Sequence, residues 1–325
     1  MIEENNILFF CVIIILVIIM TTAILLGILA AFLWGVTNHI DKFMVSGIDS
    51  GKDSIKVLLV FSTFVAGIIL TPVWLILSKF NIGISLTSLI SIFAAAVVYI
   101  IAVALYFKAM EKNDASLVVV MFQMIPVFSY IMALILFKEN LTLKQIIGSL
   151  IILLSAILIS FNFNGRNNKK KLKALILMTL SSFLCAVYFI LFDIGLRNSS
   201  YYSCVFWYQI GLLIIGIVLL CIKAYRVPFK NAIKKNGKKY LFLNITNEVI
   251  NLIANALVNY ANILVPIALV NVLTGLQGAF AFILGVLGTI FIPRYIKEDL
   301  SKKIVIQKVA CIILSIIGLI VLVYE

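Results

Sequence analysis

Runs of about twenty apolar residues, separated by short polar breaks, recur from one end of the chain to the other. Wound as a helix at ~1.5 Å per residue, a run of that length crosses the ~30 Å hydrocarbon core of a bilayer. After a first apolar stretch, the pattern predicts helices over 57–77, 86–107, 115–137, 145–161, 174–195, 201–222, 240–261, 266–291 and 304–324. Pro266 suits a first helical turn, where its missing N–H costs nothing. The first stretch, 7–35, holds no charge. At ~44 Å it is too long for one snug span and too short for two spans with a turn. A start at Met20 gives a span of ordinary length ending near His39-Ile40-Asp41-Lys42. Residues 1–19 are therefore expected to be an N-terminal extension or the projecting part of an overlong first helix. Glu3 and Glu4 replace the basic start of a signal peptide. The pattern totals ten spans, with five (20–161) before a basic hinge at 162–173 and five (174–325) after it.

One span departs from the rest. Read as a helix, Asn244, Glu248, Asn251, Asn255, Asn259 and Asn262 fall within about 80° of one another, with Asn247 at the edge. The stripe is ~27 Å long, close to the membrane thickness. Amides and a carboxylate do not face lipid tails cheaply, so the stripe must face protein or a water-filled cavity. The alternative to a cavity is an amide ladder that glues helices together, at ~0.6–2 kcal/mol per bond. Five Asn on one line plus an acid exceed what packing needs, so a substrate cavity is the preferred reading. A carboxyl at membrane depth favours its neutral form, which makes Glu248 a candidate for proton coupling. The alternative is a structural Glu, permanently protonated or paired.

Composition agrees with the pattern. Of 325 residues 64% are hydrophobic and 12% charged, and the mean hydropathy is +1.20. These values define an all-α polytopic membrane protein of a cell (inner) membrane. The net charge of +13 belongs to loops and does not imply nucleic-acid binding. The five cysteines lie in apolar stretches without CxxC spacing, and there is one histidine. No disulfide framework, metal site or cofactor is expected. Numbering each loop by the helix it follows, the odd loops carry 21 Lys and Arg and the even loops 4. That asymmetry puts the odd loops in the cytoplasm and both termini outside.

The two halves resemble each other. Tyr106 and Gln123 are separated by 17 positions, as are Tyr260 and Gln277; Phe32-Leu33 with Val36 recurs as Phe183-Leu184 with Val187. Glu139 and Gln145 have counterparts in Glu298 and Gln307. Five helices is an odd number, so a second copy enters the membrane from the opposite side. The pattern predicts two inverted five-helix repeats, with a site where they meet near mid-membrane. Shifted by 154 positions, Ile90, Ala94, Val97, Ile101 and Leu105 stand opposite the polar stripe, so the polar function belongs to the second copy.

The stretch Asp114-Ala115-Ser116-Leu117-Val118, Ile125-Pro126-Val127-Phe128, Phe137-Lys138-Glu139 and Gln145-Ile146-Ile147-Gly148 resembles the end of the repeat of EamA-type members of the drug/metabolite transporter superfamily. Leu33-Trp34-Gly35 with Asn38-His39-Ile40-Asp41-Lys42 is similar to that family's first helix; Pro266, Ala268, Leu269, Val270, Gln277 and Glu298 match more loosely. The resemblance implies ten helices in two inverted repeats around a cavity opened alternately to each side. Known relatives move amino acids, metabolites, nucleotide sugars or drugs. Many are drawn with both termini cytoplasmic, against the charge asymmetry here. Four-helix relatives use a first-helix Glu for proton coupling; no acid lies mid-span in the predicted helix 1, so that role is not carried over.

Further candidates surround the stripe. Gln123 and Gln277 sit at equivalent depths and either contact substrate or bridge helices. Asn271 and Thr274 add to the same cavity. Trp34, Tyr99, Trp207 and Tyr208 line it or serve as packing and interface anchors. His39, Asp41 and Lys42 read best as an interfacial cap with Lys42 snorkelling outward, with His39 as a proton relay the sharper alternative. The Lys-rich seventh loop is a topology signal, with anionic lipid contact a lesser reading. No Lys or Arg is expected deep in a span, which disfavours polyanions. The chain thus reads as a secondary active transporter, not an enzyme, working as monomer or homodimer in the lipid bilayer. Its substrate is a small polar metabolite, neutral or cationic (amino-acid-like molecules included), or a drug. Asn244, Asn247, Asn251, Asn255, Asn259, Gln123, Gln277 and Asn271 are the candidate substrate contacts; Glu248 and His39 are the candidates for proton coupling. The alternatives are an intramembrane enzyme acting on a lipid-linked substrate and a non-transporting scaffold.

Overall fold

The computed structural model describes residues 2–46, 53–137, 142–160, 168–265, 270, 273–294 and 296–323. Ten helical spans follow one another: α1 Ile2–Ser46, α2 Ser54–Leu77, α3 Leu86–Met110, α4 in two segments (Ala115–Met121 and Met124–Phe137), α5 Leu143–Ser160, α6 Asn168–Leu196, α7 Tyr201–Cys221, α8 Lys223–Leu264, α9 Gln277–Phe291 and α10 Lys302–Val323. Seven are long and apolar enough to cross a membrane, and three shorter apolar helices lie in α4, α5 and α9. This is an all-α polytopic membrane protein.

The pairing of helices obeys a simple rule. The most extensive pairings are α3 with α6, α5 with α10, α1 with α8, and α2 with α7, and α4 also packs against α9. Exchanging each helix for the one five places on maps this set onto itself. The secondary contacts obey the same exchange: α1–α9 becomes α6–α4, and α3–α7 becomes α8–α2. The contacts are therefore nearly unchanged when the two five-helix halves are exchanged, as expected of two copies of one five-helix unit.

Glycine sets two of the crossings. A Cβ on Gly148 of α5 would lie 2.5 Å from the Leu322 backbone nitrogen of α10, and one on Gly216 of α7 would lie 2.5 Å from that of Phe64 in α2. Without a hydrophobic force between helices in lipid, such backbone approach supplies the dispersion that holds them. Phe64 sits in a π-helical turn, Phe61–Val65, within α2. There Phe61 stacks on Tyr240 of α8, ring centroids 5.4 Å apart.

α4 is interrupted after its first two turns, and a turn of the same kind precedes α9. Pro126 has no N–H for the carbonyl of Phe122, four residues earlier, so the ladder tightens there. Phe122 N–H bonds Val119 O and Gln123 N–H bonds Val120 O, each three residues back. Just before α9 the turn over Gly275 and Leu276 shows the same i to i−3 bond, from Leu276 N–H to Leu273 O. The Gln123 amide of one break donates to the Gly275 carbonyl of the other at 2.9 Å.

Three boundaries differ from those the sequence predicts. α1 continues past His39–Lys42 to Ser46, which draws that polar cluster into the bundle. α6 begins at Asn168, so the end of the basic hinge is helical; lysine is a good helix former. The largest difference is in α8, which starts at Lys223 where a basic loop is expected. Residues 223–235 form an amphipathic surface helix. Ala232 is buried and Tyr225 and Phe229 pack on the core, while Lys223, Arg226, Lys230, Lys234 and Lys235 stay exposed. Non-helical dihedrals at Asn236 (φ −138°, ψ 27°) mark the kink into the membrane span.

Candidate functional site

The polar stripe of α8 meets α1 and α3 inside the bundle. Asn38 and Asp41, three residues apart, share one face of α1. The Tyr106 hydroxyl of α3 lies between them, 3.1 Å from Asn38 Oδ1 and 3.0 Å from Asp41 Oδ2. The second Asp41 oxygen accepts from Asn247 Nδ2 of α8 at 2.9 Å. Glu248, next along α8, is within electrostatic reach of Asp41, of Tyr99 in α3 and of Tyr208 in α7. The rings of Tyr99, Tyr188 and Tyr208 form an aromatic wall, with centroids 5.1–6.0 Å apart. Two carboxyl groups from helices far apart in sequence thus share one protein interior, bordered by amides and tyrosines.

Several polar atoms here are buried without an intramolecular partner: Asn38 Nδ2, Asn247 Oδ1, and both side-chain polar atoms of Asn244. Asn244 is 1% exposed and Asn247 5%. A buried polar group left unpaired costs about 1–3 kcal/mol, and proteins rarely keep a group of them without a use.

The stripe is graded along its length. Asn244 and Asn247 are buried, Glu248 and Asn251 half-buried, Asn255 and Asn259 exposed. Asn255 Nδ2 turns back to Asn251 O at 2.7 Å, and Asn259 Nδ2 donates to the Tyr201 hydroxyl at 2.9 Å. Gln123 is held by Gly275 O, as above, and Gln277 is half-buried at the start of α9. Asn271 lies outside the described residues. His39 is buried on another side of α1, its Nε2 2.7 Å from the Ala281 carbonyl of α9. Lys42 does not snorkel: its ammonium caps α3, donating to Met110 O at 2.7 Å and Glu111 O at 3.3 Å. Lysine is favoured at a helix C-terminus, where carbonyls lack intrahelical donors.

Asp41 is the residue that sequence alone misplaces. Among His39 and Lys42 it looks like part of an interfacial cap, and its partners lie 65 and 206 positions away. The one signal was its spacing from Asn38, which puts two polar side chains on one helical face.

A second charged cluster lies where the α3–α4 and α9–α10 connections meet. Lys308 of α10, 2% exposed, is 2.6 Å from Asp114 Oδ2 and also pairs with Glu298. Ser116 donates to Glu298 through its hydroxyl (2.8 Å) and its backbone N–H (3.3 Å). Burial pushes the Glu298 carboxyl up, and the charge of Lys308 opposes it. Lys308 stands near the start of α10, close to the connections, yet it is buried. It is already paired with two carboxylates and so offers no free counter-charge to a polyanion.

Crossing helices with a shared acidic and amide interior define the class: a multi-pass membrane transporter of the drug/metabolite type. The family is specific. Residues 21–161 match the EamA-like transporter family, and the chain belongs to it. It is also 31% identical, over 140 residues, to an uncharacterized protein of Methanocaldococcus jannaschii. That alignment covers 43% of this chain and 97% of the relative, which is thus about as long as one five-helix half.

Proposed function

We propose that the chain is a secondary active transporter that carries a small polar metabolite, neutral or cationic, across the cell membrane by alternating access, with protons coupled through Glu248. The observation that carries this reading is the set of unpartnered buried amide atoms on Asn38, Asn244 and Asn247 beside Asp41 and Glu248. Amide oxygens and carboxylates accept hydrogen bonds, and amide nitrogens donate them. An ammonium or hydroxyl group on a substrate completes such a set. Two acids close together do not ionise independently, so one proton shared by the pair is the low-energy state, and a cationic substrate competes for the same place. Release of the proton on one side of the membrane then lets substrate load on that side, and uptake of a proton on the other side expels it.

The test is uptake into proteoliposomes after a pH jump, with a panel of labelled amino acids, amines and polyols. Glu248→Gln keeps the shape and most of the hydrogen bonding but cannot titrate. It is expected to exchange substrate across the membrane while losing gradient-driven accumulation. Asn251→Ala is expected instead to weaken substrate binding. Wild-type accumulation by Glu248→Gln would remove the coupling role. Absence of uptake for the whole panel would favour a scaffold or a lipid-modifying enzyme.

A further inference from the structure

The surface helix that opens α8 carries its cations in a line. Lys223, Arg226, Lys230 and Lys234 are spaced by three, four and four positions, so they fall within about 80° of one another at ~100° per residue. Another side of the helix is docked. Ala232 is buried there, Tyr225 and Phe229 pack on the core, and the Phe229 and Phe61 rings meet edge-on with centroids 5.2 Å apart. All four cations are exposed, and so are Val227 and Ile233, which border the stripe on its two flanks. The helix joins the end of one membrane span, Cys221, to the span of α8 beyond the kink at Asn236, which sets it at the level where both spans leave the bilayer. No acidic residue occurs between Asp193 and Glu248. Among the described residues, no carboxylate pairs with any of the four cations.

Within the protein alone this arrangement is unfavourable. Like charges three or four positions apart on a helix repel each other. Lys223 and Arg226 also stand in the first turn, where the helix dipole favours anions. A topology signal needs only the number of cations near a span and is indifferent to the face they occupy. We infer that the stripe is a docking surface for the anionic phospholipids of the adjoining leaflet, with their phosphates against the four cations and the upper parts of their chains against Val227 and Ile233. A facing anionic surface turns the repulsion within the stripe into attraction. The apolar flanks suit the boundary between head groups and chains, as in other helices that lie in a membrane interface. Phe229 before the kink and Tyr240 after it both meet Phe61 of α2. Lipid held on the surface helix therefore also steadies the entry of α8 into the membrane. This surface is independent of the transport reading.

The experiment offers the full-length protein in detergent equal amounts of phosphatidylglycerol and phosphatidylcholine with the same chains, or glycerol 3-phosphate alone. Native mass spectrometry reads what is retained. Wild type is expected to prefer phosphatidylglycerol and to ignore glycerol 3-phosphate. Arg226→Gln and Lys230→Gln should each lower the preference about fivefold, the equivalent of ~1 kcal/mol per basic residue at a membrane surface. A rearranged variant moves two cations off the stripe and keeps their number: Lys223→Ala with Ala224→Lys, and Lys230→Asn with Asn231→Lys. These four positions are exposed, so its unfolding temperature and the orientation of a C-terminal reporter fusion should match wild type while most of the lipid preference is lost. The Lys302→Gln/Lys303→Gln variant removes two exposed charges elsewhere and should leave the preference unchanged. Wild-type preference in the rearranged variant, or an equal loss in the Lys302/Lys303 variant, would overturn the stripe in favour of total charge. Equal retention of the two lipids by wild type would overturn the anionic partner, and retention of glycerol 3-phosphate would replace the leaflet with a soluble phosphate.

Discussion

Lys308 shows what a buried charge demands of its neighbours. Its ammonium is enclosed by Asp114, Glu298 and, at 5.9 Å, the Phe282 ring. Removing one member of a buried ion network leaves uncompensated charge, which typically costs about 3–5 kcal/mol. Lys308→Met is therefore expected to lower the thermal stability of the purified protein severely. Neutralising the carboxylates as well (Asp114→Asn and Glu298→Gln with Lys308→Met) should restore much of the loss. If the single variant were as stable as wild type, the cluster would be a surface-like pair with no grip on the fold. Asp41 is the functional counterpart. Asp41→Asn keeps one acceptor oxygen, for the Tyr106 hydroxyl, and its new amide N–H can donate to Asn247 once the Asn247 amide turns over, but the charge beside Glu248 is lost. We expect an intact thermal unfolding profile and no gradient-driven uptake, whereas Tyr106→Phe should cost only a few-fold in uptake rate. The sequence brings out Glu248 because an acid in the middle of a long apolar span stands apart, whether as a proton site or as a structural Glu. It hid Asp41 because an acid at a span's predicted end satisfies every rule for an interface. Only the continuation of α1 to Ser46 and the arrival of α3 and α8 make it interior.

At the level of elements, apolar length located the spans well. α3 and α7 run Leu86–Met110 and Tyr201–Cys221 against predicted 86–107 and 201–222. Hydrophobic length is blind to helices that lie on the membrane, so the basic segment before Asn236 looked like a loop. Its inward positions Tyr225, Phe229 and Ala232 are spaced by four and three, an amphipathic signal diluted by five cations. The break in α4 and the turn before α9 were half legible: Pro126 is visible in the sequence, but the bond from Gln123 to Gly275 needs the two helices side by side. The α5–α10 crossing yields a prediction of its own. Gly148 has no room for a side chain against Leu322, and Gly318 sits as close to Ile152 on the facing helix. Gly148→Val should force these helices apart at a cost of about 1–3 kcal/mol, the usual range for overpacking, read as a lower unfolding temperature in detergent. Gly83→Ala, where the nearest atom is 3.7 Å away, should leave stability unchanged. A similar loss in both would show that the crossing is not specially tight.

For the whole molecule, the graded burial of the stripe has a direction. Lys308 ties the α3–α4 connection to the α9–α10 connection, and we propose from the basic-residue asymmetry that both loops face the cytoplasm. Lys42 ties the end of α1 to the end of α3 on the same face. Asn244 and Asn247, nearest that face, are buried, whereas Asn255 and Asn259, toward the opposite face, are exposed. On the opposite face, Trp207 donates to Ile82 O at 2.8 Å and Ser203 to Asn81 O at 3.0 Å, which fastens α7 to the α2–α3 connection, while Asn259 near the end of α8 bonds Tyr201 at the start of α7. The stripe is thus buried toward the ion cluster and exposed along the last turns of α8. If the protein alternates access, single cysteines introduced along the stripe, after replacement of the five native ones, should report it in intact cells. Asn255→Cys and Asn259→Cys should react with a membrane-impermeant maleimide from outside, and Asn244→Cys should not. Adding Lys308→Ala to Asn244→Cys releases the cluster and should let a permeant maleimide reach Asn244 from the cytoplasm while slowing external labelling of an Asn255→Cys partner variant. External labelling of Asn244→Cys in the otherwise native background would contradict the buried end of the stripe. Labelling of Asn259→Cys from the cytoplasmic side alone would reverse the orientation and put both termini inside.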